Sequence, residues 1–136
     1  MKPVIQEEIT GCAIASVAAI SGVSYNEAKR IANSIGIYAD DSALWSETRC
    51  IRKLLGAFGI EASEDEPAFD GWDLLPNAAL LSTKWHIEKG KPYWHWAVFV
   101  REEEMLYVLD SKKSLKSNVR TDFWRIKPKW FIEVHI

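Results

Sequence analysis

The sequence lacks the features that mark several large classes of protein. It has no apolar run long enough to cross a bilayer, so direct membrane insertion is not expected. It has no Gly-rich phosphate loop, and a formal net charge of −2 without a basic stripe argues against a nucleic-acid partner. The N-terminus has no signal-peptide pattern, so we expect a cytoplasmic location, with export as an effector left open.

Cysteine and histidine are also scarce. Cys12 and Cys50 are too few for a disulfide framework, and we expect two free thiols in a reducing compartment. Cys50 falls on the apolar face of a predicted helix, which is typical of a core residue. A zinc site made of His86, His95 and Cys12 would suit the metal by ligand type, but no close ligand spacing supports it. We therefore predict no metal and no other cofactor.

The residues that are present describe one globular domain. Of the 136 residues, 48% are hydrophobic and 26% are charged, which is ordinary for a chain with a sizeable core. No internal repeat or linker divides the chain, so residues 1–136 are predicted to form a single domain. Helices are predicted in the first half and strands in the second, the order expected of an α+β fold with an antiparallel sheet.

Periodicity and turn residues set the expected bounds of these elements. Helical spacing and glycine stops predict three helices, over residues 12–21, 25–35 and about 46–58. A further helical turn is predicted at 72–75. A short strand is predicted after residue 60, and a short apolar run predicts another over 78–82. Aromatic and β-branched residues predict strands over 93–100 and 105–110, and a last strand is predicted over 131–136.

The first predicted helix carries the most unusual residue. Residues 12–20 are almost all small and apolar, which indicates a helix buried on every side. Cys12 stands at or near its first turn, where free backbone N–H groups and the helix dipole favour the thiolate, the nucleophilic form of cysteine. The alternative is that Cys12 is only a small core residue, as most buried cysteines are.

The strands on either side of residues 101–104 are predicted to form a hairpin. A four-residue loop there places Val100 opposite Met105. The same register places His95 opposite Asp110, and cross-strand partners share one face of a sheet. An imidazole and a carboxylate so placed can form the hydrogen bond that orients a catalytic base. The alternative is an ordinary cross-strand ion pair.

Taken together, these features resemble the papain-like cysteine peptidases. Within them the chain is most similar to the domain that removes double-glycine leader peptides in bacteriocin exporters, and to its stand-alone relatives. The resemblance is carried by Gln6, six residues before Cys12 at the start of an Ala-rich helix, by His95-Trp-Ala-Val-Phe-Val, and by Leu109-Asp110-Ser. It implies a papain-like α+β fold in which a buried helix begins at the nucleophile and packs on a C-terminal antiparallel sheet.

The resemblance also implies a role for each residue of the site. Cys12 would be the nucleophile, His95 its base, and Asp110 the acid that orients the ring. The Gln6 side chain and the Cys12 backbone N–H would form the oxyanion hole. Gly11, beside the nucleophile, and Trp94 and Trp96, beside the base, are candidate substrate contacts, although the tryptophans are expected mainly to pack behind His95.

The function implied is cysteine-dependent hydrolysis of a peptide or amide bond through a thioester, as in leader-peptide processing, with a peptide or protein as substrate. Two alternatives stay open at this point. One is acyl transfer of the transglutaminase type, which uses the same order of Cys, His and Asp. The other is a catalytically silent domain of this fold that binds a peptide.

Overall fold

The computed structural model describes all residues, 1–136, and has the α+β architecture predicted from the sequence. The three helices are α1 (Cys12–Ser21), α2 (Tyr25–Ser34) and α3 (Arg49–Ala57). The six strands are β1 (Glu61–Ala62), β2 (Ala78–Glu88), β3 (Lys91–Glu102), β4 (Met105–Leu109), β5 (Val119–Arg120) and β6 (Phe131–His135). All pairings are antiparallel, in the order β1-β6-β2-β3-β4-β5. None of the helices has the length and apolarity that a bilayer crossing requires.

Helix α1 occupies the centre of the larger core. Every residue from Cys12 to Ala19 is buried, and the bounds of the helix are those predicted. The helix ends at Gly22, whose φ of 73° permits its N–H to reach the last carbonyls of the helix. Small side chains let the helix backbone lie close to α2 on one side and β3 on the other.

Helix α2 begins at a polar cap, and helix α3 follows a capped 3₁₀ turn. The Ser24 hydroxyl accepts the Glu27 N–H at 3.1 Å, as the capping sequence predicted, and α2 follows. Helix α3 begins at Arg49, later than predicted, because Ser42–Trp45 form a separate 3₁₀ turn. That turn has its own cap, since an Asp41 carboxylate oxygen accepts the Ala43 N–H at 3.0 Å.

Strands β2 and β3 are longer than predicted. Beyond residue 82, β2 continues to Glu88 and turns into β3 through Lys89 and Gly90, whose φ values are 50° and 79°. Positive φ at both turn residues is typical of a tight two-residue hairpin. The extension has both faces largely exposed, so it shows no hydrophobic alternation, and His86 lies near its end.

The β3–β4 hairpin forms as predicted, but its register is different. The turn is the residue pair Glu103–Glu104, with Glu103 at φ 56°, rather than a four-residue loop. Val100 therefore faces Tyr107 instead of Met105, a shift of two residues, and His95 does not lie directly opposite Asp110. Because side chains alternate with a period of two, this shift leaves both on the same face of the sheet, as diagonal neighbours.

The sheet has a core on each face. Residues such as Trp96 and Val98 face the helices and the larger core. The intervening residues, Ala97 and Phe99, face a smaller core covered by the 3₁₀ segments of the second half. By alternation His95 and Asp110 belong to this second face, at the end where the paired part of β4 stops.

Candidate active site

Helix α1 meets the sheet at a gap in the strand pairing. β4 ends at Leu109, opposite Val98, so the part of β3 before Val98 has no partner on that side. The start of α1 fills this position, and the Trp96 backbone N–H donates to the Cys12 Sγ at 3.5 Å. Cys12 is only 5% exposed, and Gly11 at the N-cap provides no side-chain cap. The first N–H groups of the helix are therefore left without a side-chain acceptor.

His95 joins this cysteine to a buried acid. Its Nε2 lies 2.8 Å from the Asp110 Oδ1, and the two side chains are 16% and 4% exposed. The ring also interacts with the Cys12 side chain. The structure thus brings together the nucleophile, base and acid candidates, although Asp110 comes from the segment just after β4 and not from a paired position.

The surroundings of His95 favour its charged form. Burial acts to lower the pKa of the ring, but hydrogen bonds with Asp110 and Cys12, together with electrostatic attraction to both groups, outweigh it and raise the pKa of His95 to about 9. The imidazole is therefore protonated at neutral pH. It can stabilise a thiolate and has a proton to donate to a leaving group.

His95 is not the only group that holds Asp110 in place. Burial tends to raise its pKa, but the hydrogen bond and charge of His95, the Lys112 backbone N–H and Arg120 lower the pKa of Asp110 to about 2. The Arg120 Nη1 is 3.1 Å from the Asp110 Oδ2. Arg120 in turn is held by Asp122 through two hydrogen bonds of 2.9 and 2.8 Å. The carboxylate therefore stays ionised and cannot rotate freely.

Gln6 lies near the site, but its amide is already hydrogen-bonded. Its Nε2 donates to the carbonyls of Glu8 and Ile9 at 3.0 and 2.7 Å, and its Oε1 accepts the Ser111 hydroxyl at 2.8 Å. Two carbonyls on one side and a hydroxyl on the other fix which end of the amide carries nitrogen. In this conformation both amide hydrogens are used, so the predicted oxyanion role requires the Glu8 and Ile9 carbonyls to move away.

Gly11 is required by packing. A Cβ there would overlap the Tyr25 hydroxyl, which donates to a Glu8 carboxylate oxygen at 2.7 Å. Lys29 holds the same carboxylate oxygen at 3.2 Å. The absence of a side chain at Gly11 therefore lets the Tyr25 ring pack against the N-terminus of α1. A contact between Gly11 and substrate stays a prediction.

The two tryptophans beside His95 pack mainly in the core. Trp94, Trp96 and Trp130 form an edge-to-face cluster with ring centroids 4.8 to 5.6 Å apart. The Trp96 indole N–H donates to the Leu44 carbonyl at 2.6 Å. The Trp94 indole N–H is buried without an acceptor, and Trp94 also lines a cleft of about 410 Å³ beside His95. Trp94 is thus the better candidate for a substrate contact.

The remaining sulfur and imidazole groups lie apart from this constellation. Cys50 is half-buried on α3, where burial and then the charges of Asp41 and Glu47 raise the pKa of its thiol. The His86 Nδ1 binds the Lys84 carbonyl at 2.8 Å on the extended hairpin. No group of three or more His, Cys, Asp and Glu side chains is arranged to hold a metal ion.

Sequence reasoning missed Arg120 and Ser111. Arg120 lies on a strand of two residues, too short for any pattern to indicate. Ser111 is the residue after the predicted acid and contacts Gln6, a partner more than one hundred positions away. Neither residue has a local signal that points to the site.

Comparison with known proteins adds one finding. No protein-family model and no curated protein sequence matches this chain. Among solved structures, the chain matches the crystal structure of a double-glycine motif protease from an AMS/PCAT transporter in complex with the leader peptide. The TM-score is 0.63 at 16% identity, and the match covers 98% of this chain and 89% of that chain. At this identity the likeness shows the fold, and it confirms the fold that the sequence resemblance predicted.

The two thiols should differ in reactivity. We expect iodoacetamide near neutral pH to label Cys12 faster than Cys50, because the protonated His95 ring lies beside the first thiol, whereas burial and acidic neighbours raise the pKa of the second. Mass spectrometry after limited labelling measures both sites. Labelling in urea is the control and should remove the difference. Faster labelling of Cys50 in the folded protein would contradict the arrangement.

The stability of the protein should depend on the charge of His95. Its pKa is about 9 in the folded protein and near 6.5 when unfolded, so its contribution to the free energy of unfolding is complete below pH 6.5 and is lost as the pH rises through 9. Urea denaturation of the native protein and His95→Asn from pH 6 to 9.5 should show the difference between them shrinking. His86→Asn, on the exposed hairpin, is the matched control. A difference that grows with pH would refute this account.

Proposed function

We propose that the chain is a cysteine peptidase that cleaves a peptide bond through a thioester on Cys12. The observation that carries the proposal is the meeting of the Cys12 side chain with the His95 ring, whose Nε2 is bound to Asp110 at 2.8 Å. A nucleophile, a base and an orienting acid in this order can perform acyl chemistry. The solved structure of similar fold is itself a protease, which supports the same class.

The first half of the reaction forms the thioester. The Cys12 thiolate attacks the peptide carbonyl carbon, and the carbonyl oxygen takes up the negative charge. His95 then gives its proton to the departing amine as the carbon–nitrogen bond breaks. Asp110, held by Arg120 and the Lys112 N–H, keeps the ring in place while its charge changes.

The second half returns the enzyme to its starting state. His95, now neutral, removes a proton from a water molecule, and the hydroxide formed attacks the thioester carbon. The carbon–sulfur bond breaks, the thiolate leaves, and the acid product departs. If an amine replaced water at this step, the same residues would perform acyl transfer, so the acceptor distinguishes the two reactions.

The oxyanion would lie at the N-terminus of α1. The Cys12 backbone N–H is one donor there, because the first N–H groups of a helix have no acceptor within the helix. Gln6 would be the second donor once its Nε2 leaves the carbonyls of Glu8 and Ile9. Substrate binding would supply the energy for that change, since the developing negative charge is a better acceptor than a neutral carbonyl.

The substrate we propose is a peptide cut after small residues, with two glycines as the first case to test. The solved structure of similar fold is a double-glycine motif protease in complex with a leader peptide. The cleft beside His95, with Trp94, Tyr93 and Trp45 in its lining, offers aromatic surface for a peptide next to the scissile bond.

Removal of the three central groups should give an ordered loss of activity. With a fluorogenic peptide that releases aminomethylcoumarin after Gly-Gly, Cys12→Ala should abolish turnover because no nucleophile remains. His95→Ala should be nearly as severe, whereas Asp110→Asn should be milder because Asn can still accept a hydrogen bond from the ring.

The controls for this series test folding and additivity. Cys12→Ala should leave the free energy of unfolding nearly unchanged, since alanine suits the small-residue packing of α1. Cys12→Ala combined with His95→Ala should be no worse than Cys12→Ala alone, because the two residues act as one unit. Substantial hydrolysis by Cys12→Ala would exclude the mechanism. Formation of an amide with added amine in preference to hydrolysis would favour acyl transfer.

Gln6 should contribute to the rate and not to substrate binding. Gln6→Ala should lower kcat by about 10²- to 10³-fold, the usual cost of one oxyanion donor, with little change in KM. Ser111→Ala is the matched control, because it removes the hydroxyl that binds the Gln6 Oε1 but leaves the donor in place. An equal loss of kcat in both variants would show that Gln6 acts only by holding residues 6–9 in place.

A further inference from the structure

A second cleft, of about 460 Å³, lies next to the one that contains His95. We call it the cationic cleft. Five basic residues and no acidic residue line it: Lys84, Arg120, Arg125, Lys127 and Lys129. Lys84 lines both clefts, so the two share a wall. Arg120 connects the cationic cleft to the candidate site through its contact with Asp110.

Most of these positive charges are not neutralised. Arg120 pairs with Asp110 and Asp122, but the other four cations form no salt bridge. The Lys129 Nζ lies over the Trp85 ring at 4.7 Å from its centroid, a contact that leaves the charge available. The whole chain carries a net charge of −2, so this concentration of positive charge is local. Such a cleft attracts anionic groups.

The backbone at Lys84 directs its side chain to the boundary between the clefts. The pairing of β2 with β3 shifts between Thr83 and His86, and Lys84 has a φ of 52° at this irregularity. Positive φ is unfavourable for lysine, and such bulges often redirect a side chain next to an active site. Burial, followed by the neighbouring Lys112, lowers the pKa of Lys84, which agrees with a site already rich in positive charge.

We propose that the cationic cleft binds acidic side chains of the peptide substrate close to the bond that is cut. The inference rests on the proposed function, because it takes the cleft beside His95 as the place where that bond lies. Because Lys84 lines both clefts, a peptide held there would reach the cationic cleft by extending past Lys84. Aspartate or glutamate residues would then meet Lys84, Arg125, Lys127 and Lys129.

A peptide fits these observations better than a nucleic acid. The one aromatic ring in the cationic cleft, Trp85, packs partly against the larger core and has Lys129 over its face, so it offers little surface for a base to stack on. The cleft also opens beside the residues proposed to cut a peptide. An oligonucleotide of equal charge is still a necessary competitor in the test.

Binding can be measured without turnover in the Cys12→Ala protein. Two fluorescein-labelled peptides would be compared by anisotropy at low salt: one with four glutamates beside Gly-Gly, and one with glutamines in the same places. We expect the glutamate peptide to bind about tenfold more tightly, the combined effect of several exposed charge pairs.

Two triple variants that lose the same net charge test whether the preference for glutamate comes from the cationic cleft. Arg125→Gln/Lys127→Gln/Lys129→Gln should remove most of the preference for glutamate, and Lys84→Gln should remove part of it. The control is Lys2→Gln/Lys53→Gln/Lys91→Gln, which loses the same net charge outside the cleft and should keep the preference. Arg120 stays unchanged throughout, because it holds Asp110.

Three outcomes would overturn the inference: equal binding of the two peptides, an equal loss of preference in the control variant, or tighter binding of a single-stranded oligonucleotide of the same charge than of the glutamate peptide. A preference for glutamate without cleavage of any Gly-Gly peptide by the native chain would refute the Gly-Gly substrate and leave a cleft that binds acidic peptides. Cleavage that is equally fast with glutamate and glutamine substrates, together with equal binding, would refute only the cationic cleft.

Discussion

The meeting of α1 with the unpaired part of β3 determines where every reactive group of this protein can lie. A strand in the middle of a sheet normally has both edges hydrogen-bonded, but β4 ends at Leu109 and leaves the Trp96 N–H without a strand partner. The Cys12 sulfur takes that position. A helix that begins beside an open strand edge has its free N–H groups next to the side chains that alternate along the strand, and His95 is one of these.

The electrostatic arrangement follows from the same geometry. The site holds an imidazolium between the Cys12 side chain and a carboxylate, with a guanidinium behind the carboxylate. Removing these charges from water is costly unless each one is compensated. Here every charge has a neighbour of opposite sign at hydrogen-bond distance, and Asp122 completes the series beyond Arg120. The desolvation free energy of the buried Asp110 carboxylate is thus offset by partners on two other segments, His95 on β3 and Arg120 on β5.

Much of this architecture could be predicted from local patterns. The bounds of α1 follow from a run of small apolar residues that ends at glycine, and the sharing of one face by His95 and Asp110 follows from strand alternation. That second prediction was correct although the register was wrong, because an error of two residues does not change which face a side chain occupies. The exact turn could not be predicted, since Glu103 adopts a positive φ that its residue type disfavours. Arg120 and Lys84 reach the site only through tertiary pairing and a strand irregularity, which leave no local pattern.

Two neighbouring residues, Asp110 and Ser111, contact the proposed base and the proposed oxyanion donor respectively. Asp110 is hydrogen-bonded to the His95 ring, while the Ser111 hydroxyl donates to the Gln6 Oε1 and the Ser111 carbonyl accepts the Gln6 backbone N–H at 3.0 Å. Any shift of Gln6 toward an oxyanion therefore pulls on the residue next to Asp110. Coupling of this kind is reciprocal: if a shift of Gln6 changes the hold of Asp110 on His95, a change in that hold shifts the position of Gln6 by the same free energy. The proposed base and the proposed oxyanion donor would then respond to substrate as one thermodynamic unit.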